Sequence, residues 1–325
     1  MKEFNWGILA PGSIANKFAQ GLTAIPNASR YAVGSRDIGR AQAFADKHGF
    51  KKAYGSYEAL AKDPEVDAVY IATPHPQHEE AAILCLNNGK PVICEKPFAG
   101  NAAQAARMID CARKNKVFLM EAMWTRFLPS ICKVRELIAE GAIGGVRHIN
   151  ADFCFRAGVN PEGRLFALKS AGGSLMDVGV YNISFCSMIF GKQPENIKSC
   201  MNIGSTGVDE TASVLLSYND GESANLLSAI RLNTPQDASI YGEDGYIKLP
   251  SYWCGDTVQL FNKDGAREIK LPFDSGGFQF EALEVMNCLN KGLLESPVMP
   301  LDETLAVMQT ADKIRYDNNL RYPFE

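Results

Sequence analysis

From Gly89-Lys90-Pro91-Val92-Ile93-Cys94-Glu95-Lys96-Pro97-Phe98 the architecture of the chain can be worked out in both directions. Turn residues open it. The apolar run Val92, Ile93 and Cys94 then has the character of a short strand buried on both faces of a parallel sheet. Glu95 and Lys96 fall at that strand's carboxyl end, the edge at which open α/β sheets bind ligands. An ionisable pair there serves either chemistry or a buried structural ion pair.

Upstream, residues 4–10 read as a strand that feeds into Ala10-Pro11-Gly12-Ser13-Ile14-Ala15 and an amphipathic helix. This is the place of a dinucleotide fingerprint, written Ala-x-Gly-x-x-Ala instead of Gly-x-Gly-x-x-Gly. Gly12 lets the backbone approach a pyrophosphate, and Ala15 is small enough for close helix packing. The N–H groups at Ser13 and Ile14 open a helix whose positive end faces the phosphates. The next strand, residues 29–35, ends in Ser35-Arg36-Asp37, where this fold reads the adenosine ribose. Ser35 and Arg36 supply donors and charge suited to a 2′-phosphate, and Arg40 lies one helical turn later. The alternative is that Asp37 caps the helix and both arginines are solvated. The first reading favours NADP over NAD.

Residues 66–72 form another apolar strand, ending in Thr73-Pro74-His75-Pro76-Gln77-His78 at the same sheet edge. His75 and His78 either touch the cofactor or cap the following helix, and capping suits His78 better. A helix over 101–114 and a strand over 117–122 complete the alternation, so residues 1–122 are expected to form a doubly wound parallel sheet that binds the dinucleotide.

Beyond residue 122 the grammar changes. A helix over 129–140, a strand over 146–156 and a long helix over 172–190 precede strands broken at Asn219-Asp220-Gly221, Glu243-Asp244-Gly245 and Lys263-Asp264-Gly265. Asp-Gly between alternating runs signals hairpins. Residues 123–325 therefore read as an α+β domain with a large, open, mostly antiparallel sheet, closed by helices near 277–291 and 301–317. The fold class is α/β overall. A sheet covered on one face only points to a homodimer.

The 172–190 helix is apolar almost all round, yet Ser174, Asp177, Tyr181 and Ser184 make one polar stripe along it. A stripe inside a core must be bonded. Either Asp177 and Tyr181 bond each other, or the stripe faces a cleft opposite Lys96. In the second case a nicotinamide could take a hydride from a secondary alcohol, with Tyr181 as the base and Lys96 favouring its phenolate. Trp124, Arg126 and Phe127 would wall that cleft, unless Arg126 pairs with a carboxylate.

The 325 residues carry a net charge of −4 with Lys and Arg scattered, which suggests neither a nucleic-acid partner nor an anionic membrane. No apolar run is read as approaching the roughly 20 residues of a membrane span, and no signal-peptide pattern is read at the start of the chain. Nine cysteines without a Cys-x-x-Cys pair read as buried thiols of a reducing cytoplasm. His48, His75, His78 and His148 lack zinc-site spacing, and no metal is expected.

Taken together, Glu95-Lys96-Pro97, the fingerprint and Asp177-x-x-x-Tyr181 resemble the glucose-fructose oxidoreductase / inositol dehydrogenase / MocA-like family (Gfo/Idh/MocA). The likeness is greatest to its branch of dimeric dihydrodiol dehydrogenases and NADP-dependent D-xylose dehydrogenases, and it extends through Ala53-Tyr54-Gly55-Ser56-Tyr57-Glu58, His75-Pro76-Gln77-His78, the run Phe118 to Phe127 and Asp177-Val178-Gly179-Val180-Tyr181. The resemblance implies NADP, a homodimer built on the antiparallel sheets, Lys96 and Tyr181 as the catalytic pair with Asp177 beside them, and Trp124 with Phe153 in the substrate pocket. Its implied substrate is a polyol, aldose or dihydrodiol. Many members carry histidine where this chain has Tyr181. Two other readings stay open: a regulator that binds the dinucleotide without turnover, and an NAD-dependent glycosidase.

Overall fold

Strand β1 (Phe4–Leu9) lies at the centre of a parallel sheet with β2 (Ala28–Gly34), β3 (Lys52–Tyr54), β4 (Ala68–Ile71), β5 (Val92–Glu95) and β6 (Leu119–Ala122), in the order β3-β2-β1-β4-β5-β6. All residues of β4, β5 and β6 are buried, as strands covered on both faces must be. The computed structural model describes residues 3–325. The strand order reverses between β1 and β4, and such a switch point opens a crevice at the carboxyl ends. Helices α1 (Ser13–Leu22), α2 (Ile38–His48), α3 (Tyr57–Ala61), α4 (His78–Asn87) and α5 (Ala102–Asn115) connect the strands. The side chains of Asp37, Ser56 and Asn101 cap α2, α3 and α5 by accepting from first-turn amides.

The chain divides into two compact units. One holds the residues up to Trp124 together with Asp274–Leu305, and the other holds Thr125–Phe273 with Ala306–Glu325.

In the second unit, helix α6 (Pro129–Ala139) precedes an eight-stranded sheet of order β14-β13-β12-β11-β7-β10-β9-β8. Its strands are β7 (Val146–Cys154), β8 (Asn196–Ile203), β9 (Asp209–Ser217), β10 (Ser223–Ala229), β11 (Ala238–Gly242), β12 (Gly245–Leu249), β13 (Thr257–Asn262) and β14 (Gly265–Lys270). The three Asp-Gly turns expected from sequence join β9 to β10, β11 to β12 and β13 to β14. The sheet is not a simple meander, however: β7 inserts between β11 and β10 and runs parallel to β10. Strand β8, which alternation alone did not reveal, forms one edge.

The helix expected over 172–190 is present from Ser174 onward, but it opens wide. Single-turn helices at Arg164–Phe166 and Leu168–Ser170 precede it, its first turn at Leu175–Gly179 is of π type, and α7 (Val180–Phe190) continues from there without a break. Its start is set by Gly172 and Gly173. A Cβ on Gly172 would sit 2.7 Å from the carbonyl oxygens of Arg164 and Leu165, and Gly173 has φ +116°, which no regular helix uses. The whole run Leu168–Phe190 is, contrary to the sequence expectation, long and apolar enough to cross a membrane by length and composition, but it is mostly buried in the protein core. Burial accounts for its apolar character.

Helix α8 (Phe278–Asn290) packs on α1 in the first unit. A Cβ on Gly21 of α1 would lie 2.9 Å from the Gln279 amide nitrogen, so the close approach requires glycine. Beyond α8, the Leu119 amide donates to the Leu294 carbonyl at 3.1 Å and covers part of the β6 edge. Helix α9 (Leu301–Asp317) follows.

Candidate active site

The turn between β1 and α1 has the form a phosphate-binding loop needs. Ala10 takes φ 64°, the left-handed conformation that the first glycine of the usual fingerprint adopts without strain, and its carbonyl accepts from the Gly12 amide at 2.8 Å. No side chain caps α1, which leaves the amides around Ser13 and Ile14 to an anion. A Cβ built on Gly12 would meet nothing nearer than 3.9 Å, so the backbone face there is open.

At the tip of β2, Ser35 is buried and its Oγ accepts from the Asp37 amide at 3.2 Å. The Asp37 carboxylate is occupied in turn, accepting from the Arg40 amide at 3.1 Å. Arg36 and Arg40 are exposed. Burial raises the Tyr57 hydroxyl above its ordinary pKa, and both guanidinium groups oppose that rise.

The next loop separates its two histidines. His78 is fully buried at the start of α4, with Nε2 2.7 Å from the Thr73 carbonyl oxygen and Nδ1 3.0 Å from that of Pro97. It therefore ties the loop after β4 to the loop after β5. A neutral imidazole has one N–H and donates to only one of these carbonyls at a time. Burial pushes His78 down to about 4, outweighing the carbonyl contacts, and the Lys96 charge adds to the drop. His75 is buried with its ring edge toward His78, while Pro74 is exposed. Thr73 Oγ1 is buried with no hydrogen-bond partner among the described residues. The uncapped helix, the open face at Gly12 and this orphaned hydroxyl together fit a dinucleotide.

Glu95 closes β5 in buried surroundings, where it accepts from the Tyr70 hydroxyl and, at 3.1 Å, from the Lys96 amide. Lys96 follows half-buried, and its bond to Pro97 is cis. Trp124 stacks on Phe278 of α8, with ring centroids 4.7 Å apart and planes 16° apart. Phe278 lies far from the other site residues in sequence, and only the return of α8 to the first unit reveals it.

The second unit holds the polar stripe, and three of its members bond side chains outside it. Ser174 Oγ donates to Asp209 at 2.7 Å, Arg164 pairs with Asp177 at 2.8 Å, and Arg126 donates to Ser184 Oγ at 3.0 Å. Arg126 is 2% exposed and also donates to the Ser184 carbonyl, so it braces α7 from inside. Tyr181 stands edge-on to Phe153 at 5.2 Å, and Phe153 stacks on Trp253 at 4.7 Å. The Trp253 indole N–H donates to Gln236 at 2.8 Å, which fixes the plane of that ring. Trp253 and Arg164 were not foreseen from sequence, because each lies on a connecting segment without periodicity.

This chemistry has recognised counterparts. Residues 4–123 match the family described as "Oxidoreductase family, NAD-binding Rossmann fold", and residues 131–248 match the "GFO/IDH/MocA C-terminal domain". The chain belongs to this Gfo/Idh/MocA oxidoreductase family. It is 41% identical over 329 residues to trans-1,2-dihydrobenzene-1,2-diol dehydrogenase of Mus musculus, covering 98% of both chains. The enzyme of the same name from Homo sapiens is 40% identical over 330 residues, again with 98% of both covered. Among solved structures, aldose-aldose oxidoreductase from Caulobacter crescentus, complexed with glycerol, shares the fold with a TM-score of 0.90 at 21% identity, covering 98% of each chain.

Proposed function

We propose that the protein is an NADP-dependent dehydrogenase that transfers a hydride from a secondary alcohol of a trans-dihydrodiol, or of a related aldose or polyol, and works as a homodimer. The observation that carries this reading is the full-length similarity, at 41% identity, to an enzyme named for a dihydrodiol substrate.

The bound nicotinamide would supply the hydride acceptor. Tyr181 takes the proton of the reacting hydroxyl, and the Lys96 ammonium favours the phenolate form while polarising the same oxygen. Asp177 orients a hydroxyl of the substrate. The faces of Phe153 and Trp253 take the apolar side of the ring and shed water from it. Arg36 and Arg40 support the choice of NADP, because each can donate to a 2′-phosphate.

For the dimer, the support is the solvent face of the eight-stranded sheet. His148, Tyr241, Tyr246 and Phe261 form a continuous row across β7, β11, β12 and β13, with centroids 6.1, 5.8 and 4.4 Å apart. Tyr241, Tyr246 and Leu215 there are exposed. A second copy of the sheet would cover them. The buried cysteines Cys85, Cys94, Cys154, Cys186 and Cys288 support a reducing cytoplasm.

The test is a panel of trans-dihydrodiols, aldoses and inositols, followed by the absorbance of newly formed reduced NADP or NAD. Turnover of a diol or sugar with NADP supports the proposal. No turnover of any member with either cofactor would overturn it.

A further inference from the structure

The turn at Leu175–Gly179 ends immediately before Val180 and Tyr181, so whatever holds its start fixes where the phenol stands. Asp209, the first residue of β9, is 0% exposed and reaches across to cap that start. Its Oδ2 accepts from the Ser174 hydroxyl and from the Leu175 amide, both at 2.7 Å. Ser174 Oγ also lies 3.2 Å from the carbonyl and from the hydroxyl of Ser228 on β10. Ser228 Oγ would lie 2.9 Å from a Cβ on Gly179, so β10 presses on the end of the turn as β9 holds its beginning. A Cβ on Gly173 would fall 2.0 Å from Asp209 Oδ1, which makes glycine obligatory where the carboxylate enters.

A second element grips the same point. The Tyr322 hydroxyl donates to the Gly172 carbonyl at 3.0 Å, and Tyr322 is 2% exposed. The guanidinium of Arg315 lies 4.4 Å over its ring. Arg315, itself fully buried, is bound by Asp312 and Glu325, and Glu325 also accepts from the Tyr322 amide at 2.9 Å. The phenol of Tyr322 is thus fixed at both ends before it touches Gly172.

We infer that Asp209 and Tyr322 are positioning residues for Tyr181: together they clamp the Gly172–Leu175 segment, from which the turn sets the height of the Tyr181 hydroxyl. The inference rests on the reading of Tyr181 as the acid/base. An ordinary core would need neither a buried carboxylate nor a tyrosine hydroxyl aimed at one backbone carbonyl. Burial lifts the Asp209 carboxyl to about 6 against its two hydrogen bonds, so the cap is held ionised at a cost in solvation that an apolar contact would avoid. Misplacement of a reacting group by about 1 Å is enough to cost roughly a hundredfold in rate.

The experiment compares Tyr322→Phe, Asp209→Ala and Asp209→Asn in the full chain, with trans-1,2-dihydrobenzene-1,2-diol as probe substrate. Steady-state kinetics, NADP titration and amide hydrogen exchange over residues 175–181 are read on each. The expected result is a kcat roughly tenfold lower for Tyr322→Phe and lower still for Asp209→Ala, with NADP affinity unchanged and exchange faster in the turn. Asp209→Asn, which keeps an acceptor oxygen, should recover part of the loss. Wild-type kcat in Tyr322→Phe, or a parallel loss of kcat, NADP affinity and thermal stability in both Tyr322→Phe and Asp209→Asn, would overturn the inference. Tyr181→Phe serves as control. Should it retain turnover, the catalytic reading fails, and hydrogen exchange alone decides the clamp: unchanged protection at 175–181 in Tyr322→Phe then refutes it.

Discussion

Arg164 Nη1 stands 2.8 Å from Asp177 Oδ1, linking the loop before the π-type turn to the carboxylate one helical turn ahead of Tyr181. The Arg164 side chain is 49% exposed and that of Asp177 only 10%. An ion pair with one solvated partner adds little stability, about 1 kcal/mol or less. Its effect is on direction: it decides which way the Asp177 oxygens point. Arg164→Ala should therefore raise KM for the diol several-fold while moving the unfolding midpoint by no more than about 2–4 °C. Steady-state kinetics beside a thermal melt check this, and an unchanged KM would separate Arg164 from substrate binding.

The proposed preference for NADP puts Arg36 beside the 2′-phosphate. Replacing Arg36 by alanine removes a charge-assisted donor from the ribose-reading loop but leaves the Asp37 cap intact. The expected outcome is NADP affinity lower by roughly ten- to a hundredfold, with NAD affinity nearly unchanged. Fluorescence titration with each dinucleotide measures it. Equal losses would remove the 2′-phosphate reading.

His78 gives the fold an acid limit. Its native pKa is depressed from 6.5 to about 4, so it is neutral when folded while the unfolded chain takes up a proton. The stability it contributes is whole above pH 6.5 and is lost as pH falls toward 4, by on the order of 3 kcal/mol. In His78→Gln that increment should be missing, so denaturant midpoints of variant and wild type should converge on acidification. A gap of constant size from pH 7 to 4.5 would show that the buried imidazole is not the source.

Glu281 acts in the opposite direction. It is fully buried on α8, and neither carboxyl oxygen has a hydrogen-bond partner among the described residues. Burial, and then the charge of Glu95, hold its carboxyl well above the usual carboxylate range. A raised acid contributes stability at low pH that is lost as pH climbs through the native value. Glu281→Gln cannot ionise, so its melting temperature relative to wild type should rise with pH between 5 and 8, by on the order of a few degrees. A difference that stays flat would mean Glu281 ionises freely.

Much of this was legible in the sequence because local chemistry agreed with the global arrangement. The apolar run at Val92 to Cys94 became a fully buried strand, and the three Asp-Gly turns became hairpins. What escaped depended on distant contacts. The insertion of β7 between β11 and β10 leaves no periodic trace. The π-type opening turn at Leu175–Gly179 leaves no trace in an apolar run with helical spacing, although the paired Gly172 and Gly173 signal that the helix starts just after them. Asp209 capping a turn 35 residues earlier in sequence, like Phe278 stacking on Trp124, is visible only in three dimensions. Nor does helical spacing show that Ser174, Asp177 and Ser184 of the polar stripe bond Asp209, Arg164 and Arg126.

In the proposed hydride transfer, Lys96 and Tyr181 act on one hydroxyl. The most direct measurement is the rate of NADP reduction by trans-1,2-dihydrobenzene-1,2-diol in wild type, Lys96→Ala and Tyr181→Phe, with NADP affinity measured on each. Turnover should fall by roughly a thousandfold or more in either variant while NADP still binds. Near-normal turnover in either one would contradict the account.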